Sequence, residues 1–487
     1  MVDLFFSLFF CFGSLYAQEN GSTIQSDSIP VFKQLYIAFA GPYPASPSSA
    51  LGHIFLVIEP DTLSKTPYLL WKAINFGADI ESINQIELFW YGLFGGLKGK
   101  FSELYFHEKI QEYSNIESRP IWLIPVNLSY QEKRRFQIEL ENRKNETYNY
   151  RFTNLNCVNY IEDLVLASID SNTAMPTRFY TTPEDFIISS PILQSRISKP
   201  ILLKSIEQIL SENSIHKSQN LSFQLLFLEK KLQLENKMPS KKQQSVLEEL
   251  RVSVMNQKNE SIQKVVFQDQ KLYLHPLQFF ESFAGISDKQ SELRLNYRFA
   301  AHDFHDKDDA FSRVELIEVA KLSLGFSAKQ KPIVHSYSIF NQMSLQASTA
   351  LSNYYAWSLS IGGKRRIDLE NSPFSHEFII GTGKSFYWFD NKNYTSAFLV
   401  SFAPSYIHFN GFNFDLKLEY IQLVHFKAIT WLQKVEQYVD IFHQKFRFNP
   451  VYSSEISFRM ANSFRLMQKA SISVNGYDLS IGIRKSF

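Results

Sequence analysis

Apolar residues recur along this chain in three different rhythms. From about residue 30 to 195 they form short runs interleaved with helical spacing. Val31 to Ala40, Ile54 to Ile58, Tyr68 to Phe76 and Pro120 to Val126 are of strand length, and Gly-Pro and Pro-Asp pairs punctuate the first two. Ser129 to Asn142 predicts a helix, with Ser129 as N-cap and Glu132 at the capping-box position. Cys157 to Ile169 predicts another, because Tyr160, Leu164 and Ala167, with Ile161, Val165 and Ser168, fall at helical spacing. A mixed α and β domain over 30–195 follows.

From 196 to 285 the rhythm changes. Ile201 to Leu210, Leu221 to Leu234 and Gln243 to Met255 are amphipathic and rich in Lys, Glu and Gln. Met238-Pro239-Ser240 interrupts them, so a helical hairpin or linker is expected, its charges forming a solvated face.

Over 286–487 the period becomes two. Leu293, Leu295, Tyr297 and Phe299 alternate with Arg294, Asn296 and Arg298. Phe412, Phe414, Leu416, Leu418 and Tyr420 alternate with Asn413, Asp415, Lys417 and Glu419, and Tyr477, Leu479, Ile481 and Ile483 repeat the pattern before the terminal Phe487. Such strands fit a soluble antiparallel sheet or a membrane β-barrel. Long alternation, abundant aromatics and a terminal aromatic strand point to an outer-membrane barrel of about 8 to 12 strands. Lys485 departs from that terminal pattern, standing where an apolar residue is usual.

Composition narrows the setting. A chain of 487 residues is expected to hold two or three domains, and a net charge of +2 gives no electrostatic case for nucleic acid. Leu4 to Tyr16 is an unbroken apolar and small-residue run ending at Ala17, which reads as a signal peptide over residues 1–17 and therefore as export; a retained N-terminal anchor is the alternative. Phe9 and Phe10 argue against lipidation of Cys11. Removal of the leader leaves Cys157 as the one cysteine, which is either a nucleophile or a small buried hydrophobe.

The sharpest local feature is Asn154-Leu155-Asn156-Cys157-Val158-Asn159-Tyr160, a polar loop entering a helix. A thiol at a helix N-terminus faces the positive dipole end and free N–H groups, which favours thiolate and offers an oxyanion site. Its general base should be a histidine. His53 follows Gly52 at the head of a strand, beside the small residues of Ser48 to Leu51. His107 reads as a half-buried packing residue. His302 and His305, in an Asp-rich stretch, read more simply as a polar loop than as a metal site, and no cofactor is expected. The Gly-rich Tyr91 to Phe101 lacks the spacing and the Lys-Ser/Thr ending of a phosphate loop and reads as an apolar loop near the site. The order of a histidine strand followed by a cysteine helix resembles that of circularly permuted papain-like enzymes.

Gly52-His53-Ile54-Phe55-Leu56, Ile74-Asn75-Phe76, Tyr91 to Phe101, Glu112-Tyr113, Glu117-Ser118-Arg119-Pro120-Ile121-Trp122 and Asn156-Cys157 occur in this order. Together, over roughly residues 35 to 190, they resemble the periplasmic N-terminal domain of the Bacteroides-type lipoprotein N-acyltransferase (Lnb) family. The resemblance implies a papain-like thiol fold with His53 and Cys157 as the catalytic pair. Asn75, on the next expected strand, is the candidate for orienting the imidazole; a strand-end hydrogen bond is the other reading. Glu117 and Arg119 either form a structural ion pair or bind a substrate headgroup. The family continues into membrane helices where this chain continues into β-strands, and its Arg-Asp before Trp is Arg119-Pro120 here. The expected activity is therefore broad: acyl transfer or hydrolysis on a membrane lipid or lipoprotein, or else a peptidase or amidase, or else a non-enzymatic outer-membrane scaffold with a degenerate thiol domain.

Overall fold

The protein is described by a computed structural model covering residues 31–43, 52–61, 66–79, 87, 91–92, 95–152, 155–169, 181–205, 208, 267–269, 272, 274, 277–287, 291–306, 314–327, 330–347, 354–388, 393–408, 411–441, 449–461 and 463–486. The expected signal peptide, Cys11, Ser48 to Leu51 and the helical segments Leu221 to Leu234 and Gln243 to Met255 lie outside these residues. Two compact units meet in sequence at Leu272 and Tyr273.

The N-terminal unit is built on an antiparallel sheet of β1 (Gln34–Ala40), β2 (His53–Glu59), β3 (Lys72–Ala78), β4 (Leu97–Tyr105), β5 (Ile121–Val126), β6 (Tyr148–Tyr150), β7 (Ile201–Leu203) and β8 (Phe267–Asp269). Their order is β6-β4-β3-β2-β1-β5-β7-β8. β1 and β2 read as continuous apolar runs because both of their faces are covered. On one face Tyr36, Ala38, Phe55 and Val57 pack with Phe106 and Tyr113. Those two come from α1 (Phe106–Lys109) and the π-helical turn Ile110–Ile116 that continues it. α2 (Tyr130–Lys144) packs on α3 (Cys157–Ile169), and α3 packs on β2 and β3 through a face that includes Ile161, Leu164 and Val165. The capping box of α2 is present: the Ser129 N–H donates to Glu132 Oε2 at 2.6 Å, and the Glu132 N–H to Ser129 Oγ at 3.4 Å.

Two elements differ from expectation. Tyr68–Leu70 is a 3-10 turn opened by Pro67, and the strand starts only at Lys72, because Trp71 turns inward to stack on Tyr36 at 5.4 Å. Ile201–Leu203 is a strand and not the start of a helix. It satisfies the open edge of β5 and in turn pairs with β8, so the sheet draws on residues beyond 195.

In the C-terminal unit twelve strands among the described residues close into a barrel. They are β9 (Phe279–Ser287), β10 (Ser291–His302), β11 (Glu315–Ser327), β12 (Gln330–Ser344), β13 (Ala356–Arg365), β14 (Phe374–Tyr387), β15 (Tyr394–Ile407), β16 (Gly411–Phe426), β17 (Ile429–Asp440), β18 (Val451–Ala461), β19 (Phe464–Ser473) and β20 (Gly476–Ser486). Each pairs with the next, and β20 pairs with β9 from Asp478↔Ser287 to Ser486↔Phe279. The barrel thus starts at Phe279, ahead of the boundary expected at 286.

Its polarity is inverted relative to a water-soluble barrel. On β16, Phe412, Phe414, Leu416 and Leu418 are exposed on the outside, while Asp415, Lys417 and Glu419 are buried inside. The outer face of β20 repeats this with Tyr477, Leu479, Ile481 and Ile483. An apolar exterior around a charged interior is the arrangement lipid requires, and strands of 9 to 16 residues are long enough to span it. The irregular Lys485 lies next to the rim, with its ammonium 5.7 Å from the Phe464 ring, where a long stem can carry the charge to the interface. The chain is an envelope protein whose C-terminal unit is an outer-membrane β-barrel.

Depth in the bilayer should set the cost of an outward charge. Leu418→Arg, in the middle of β16, is expected to lower barrel stability by about 2–4 kcal/mol, and Phe412→Arg, at its end, by about 0–1 kcal/mol. Urea unfolding in lipid vesicles measures both; equal costs would mean that this face does not contact hydrocarbon.

Candidate active site

His53 is held by its backbone before its side chain. Gly52 adopts φ +87°, and a Cβ there would lie 2.6 Å from the Phe39 ring and 2.9 Å from the Ala40 carbonyl. Glycine alone permits this approach, which sets His53 opposite Ala40 at the end of β1. From there the ring meets Asn75 on the neighbouring strand, with Nε2 2.7 Å from Oδ1. An amide oxygen only accepts, so the bond assigns the proton to Nε2 and leaves the Nδ1 lone pair available as a base. Tyr113 flanks the imidazole at 5.9 Å and Phe55 at 6.3 Å.

Cys157 is the first residue of α3, and two asparagines build the turn that presents it. Asn156 Oδ1 accepts the Val158 N–H at 2.9 Å, while its Nδ2 donates to the Phe152 and Thr181 carbonyls, each at 3.0 Å. The Asn156 N–H donates to Asn159 Oδ1 at 3.3 Å, and Asn159 Nδ2 donates to Thr181 Oγ1 at 3.1 Å. Cys157 is 6% exposed, and the backbone N–H of Ile54 is near enough to pull its thiol toward ionisation, as are those of Val158 and Cys157 itself. Ile54 directly follows His53, so the thiol and the imidazole share one corner of the sheet.

The electrostatics of that corner run against the expected thiolate. Burial pushes the Cys157 thiol up to about 11, although the three N–H donors and Arg119 pull the other way. Burial likewise pushes His53 down to about 4; Lys109 adds to the effect and the Asn75 hydrogen bond opposes it. Desolvation outweighs the helix terminus, and the pair rests as neutral thiol and neutral imidazole.

Glu117 and Arg119 form an ion pair at 2.6 Å. Arg119 is 2% exposed, and its guanidinium donates to the Ala40 and Gly41 carbonyls and covers the Tyr113 ring at 4.7 Å. These contacts hold the end of β1 against which His53 is registered, and the Glu117–Arg119 pair is the structural one of the two readings expected for these residues. Burial raises the Glu117 carboxyl despite its arginine. Pro120 contributes its carbonyl to the Gly41 N–H at 3.2 Å.

Sequence reasoning assigned no role to Tyr113, Lys109 or Thr181. Lys109 at the end of α1 (6% exposed) and Tyr113 in the π-helical turn both lie inward, with the ammonium 2.7 Å from Glu112 and 5.2 Å from the Tyr113 ring. No periodic signal announces such a turn. His107 is exposed and meets the Leu69 carbonyl at 3.1 Å. His302 and His305 lie in the barrel unit, where His305 Nδ1 is 2.9 Å from Ser457 Oγ. Of the Gly-rich stretch, Leu97 to Phe101 opens β4.

Residues 275–404 match a family described as a domain of unknown function (DUF7840). No curated protein is significantly similar in sequence to the chain. Among solved structures, the KdgM porin in complex with disordered oligogalacturonate covers 43% of this chain and 99% of its own, at 9% identity and a TM-score of 0.27. The NanC porin covers 43% and 100%, at 7% identity and a TM-score of 0.28. A mutant of Rh. blastica porin covers 43% and 98%, at 11% identity and a TM-score of 0.19. The N-terminal unit has the more informative match: residues 31–183, which carry His53, Asn75, Arg119 and Cys157, match the family described as the Lnb N-terminal periplasmic domain.

Proposed function

We propose that residues 31–183 form a papain-like cysteine enzyme of the periplasm that acts on an acyl group of a membrane lipid or lipoprotein. One observation carries the reading: His53 Nε2 is fixed by Asn75 at 2.7 Å, and α3, which Cys157 opens, packs on the strand that His53 begins. His53 Nδ1 takes the Cys157 proton as the sulfur attacks the carbonyl carbon. The C–S bond forms, the C–O or C–N bond breaks, and the imidazolium returns the proton to the leaving group. An amine or water, deprotonated by the same imidazole, then attacks the acyl-thioester and releases the thiol. Helix-start N–H groups are suited to the oxyanion. A neutral resting pair avoids keeping two charges in a desolvated corner, and the ion pair is needed only while the acyl group is transferred. A periplasmic domain carried on a membrane barrel favours lipid-borne substrates over soluble ones.

Cys157→Ala and His53→Ala should each lower turnover by at least about 10⁴-fold, and the double variant should be little worse, as for residues acting as one unit. Intact-mass measurement after exposure to membrane lipids should find an acyl adduct on Cys157. A peptide adduct would make the enzyme a peptidase, and full activity in Cys157→Ala would end the thiol mechanism.

The neutral resting pair makes a second expectation. The rate of Cys157 alkylation should climb with pH toward a midpoint near 11 and show little thiolate at neutrality. A midpoint at or below the free-cysteine value of about 8.5 would mean that burial does not raise the thiol.

A further inference from the structure

A twelve-strand ring places each strand opposite the one six positions away, so β13 faces β19 and β10 faces β16. The connection between β13 and β14, residues 366–373, reaches that far wall. Ser473 Oγ, at the end of β19, donates to the Ile367 carbonyl at 2.6 Å, and Asn475 Nδ2, in the following turn, donates to the Asp368 carbonyl at 2.5 Å. Arg366 anchors the loop from within. It is 3% exposed, paired with Asp368 at 2.6 Å and stacked 3.5 Å above the Tyr438 ring of β17. A loop rooted on β13 and hydrogen-bonded beside β19 crosses the mouth of the barrel.

The other mouth is crossed as well. β10 leaves the ring at the rim where Phe279 pairs with Ser486, the rim opposite to that of residues 366–373. Asp303, Phe304, His305 and Asp306 then turn inward and are all buried. The Asp303 carboxylate takes Arg484 of β20 at 2.6 Å and Arg298 at 2.8 Å, and His305 meets Ser457 of β18. Phe304 joins an apolar cluster with Leu399 of β15 and with Ile421 and Leu423 of β16, across the ring. The lumen holds a cavity of about 650 Å³ whose lining includes Asp303 and Phe304 from the one crossing and Arg366 and Asp368 from the other.

The wall charges do not form a selective ring of one sign, as ion pathways use. They cancel in pairs: Lys417 with Glu436 at 2.5 Å, Lys434 with Glu419 at 2.7 Å, and Arg484 with Glu281 at 2.7 Å. The geometry points to a barrel that is a sealed membrane anchor and not a solute pore, with the two inward loops as seals in series. This inference is independent of the chemistry at Cys157.

The full-length chain in a planar bilayer should give no steady open-channel current; ohmic steps from the unaltered protein would overturn the proposal. In a Cys157→Ala background, Ser360→Cys, which lines the cavity, should react with a charged maleimide at least about ten-fold more slowly than Val474→Cys in the exposed β19–β20 turn, since labelling must await local opening. Equal rates would also overturn it. A variant with residues 366–373 replaced by a Gly-Ser loop together with Asp303→Ala and Phe304→Ala should conduct, whereas either half alone should stay silent. If the combined variant shows a barrel's heat-dependent gel shift yet stays silent, these loops are not the seal. If it does not fold, current and labelling decide the question without it.

Discussion

In hydrocarbon an unpaired N–H has no water to turn to, so the C-terminal unit can span a membrane only because β20 finds β9 and the ring closes. Once that seam forms, the side-chain period of two sorts every strand into a lipid face and a lumen face. The seam is ionic as well as backbone: Arg484 of β20 reaches Glu281 of β9 at 2.7 Å, and the inward-turned Asp303 binds the same guanidinium at 2.6 Å. The closure that makes the barrel possible also supplies the site on which one of its inward loops is fastened. Removing one partner from such a cluster would leave a buried charge without its counter-ion, which is far costlier than losing a surface pair.

Desolvation governs the N-terminal unit too, with the opposite outcome. The lumen keeps its charges by pairing acid with base. The corner holding Cys157 and His53 offers N–H groups, an amide oxygen and aromatic rings, which do not offset the cost of burying a charge on either group. The helix terminus still contributes, since it supplies donors where charge would develop. Its dipole is too small beside the burial to ionise the thiol in advance. Arg119 is placed differently: two backbone carbonyls and Glu117 receive its donors, so it steadies the strand end from which the histidine is set.

Much of this was legible in the residues. The alternation along Phe412 to Tyr420 sorts outside from inside as it would in a barrel, and Ser129 with Glu132 marks a helix start through chemistry local to three residues. His53, Asn75 and Cys157 stand where strand order and a helix start would put them. What was hidden depends on partners distant in sequence. Three residues at Ile201–Leu203 are too few to show a period, and their strand exists because β5 has an open edge. The inward path of Asp303 to Asp306 looks like any polar loop until Arg484, 181 residues away, is seen to receive it. Burial, which runs against the expected thiolate, is a property of the packed sheet and not of the Asn-Cys-Val-Asn motif.

The barrel changes what the N-terminal family match can mean. In the family that these residues resemble, membrane helices follow the thiol domain; here, strands with a sealed interior take that place. A helical anchor and a barrel share no geometry, but each confines a covalently joined domain to a membrane. Confinement raises the effective concentration of anything held in the same bilayer without a new contact being made. A conducting barrel would add a second reason for the fusion, namely passage of a solute to or from the enzyme. With both mouths crossed, that reason is removed and anchoring is what remains. The chemistry proposed for Cys157 then has to come to the bilayer, and an acyl chain already held there is the substrate this proposal favours.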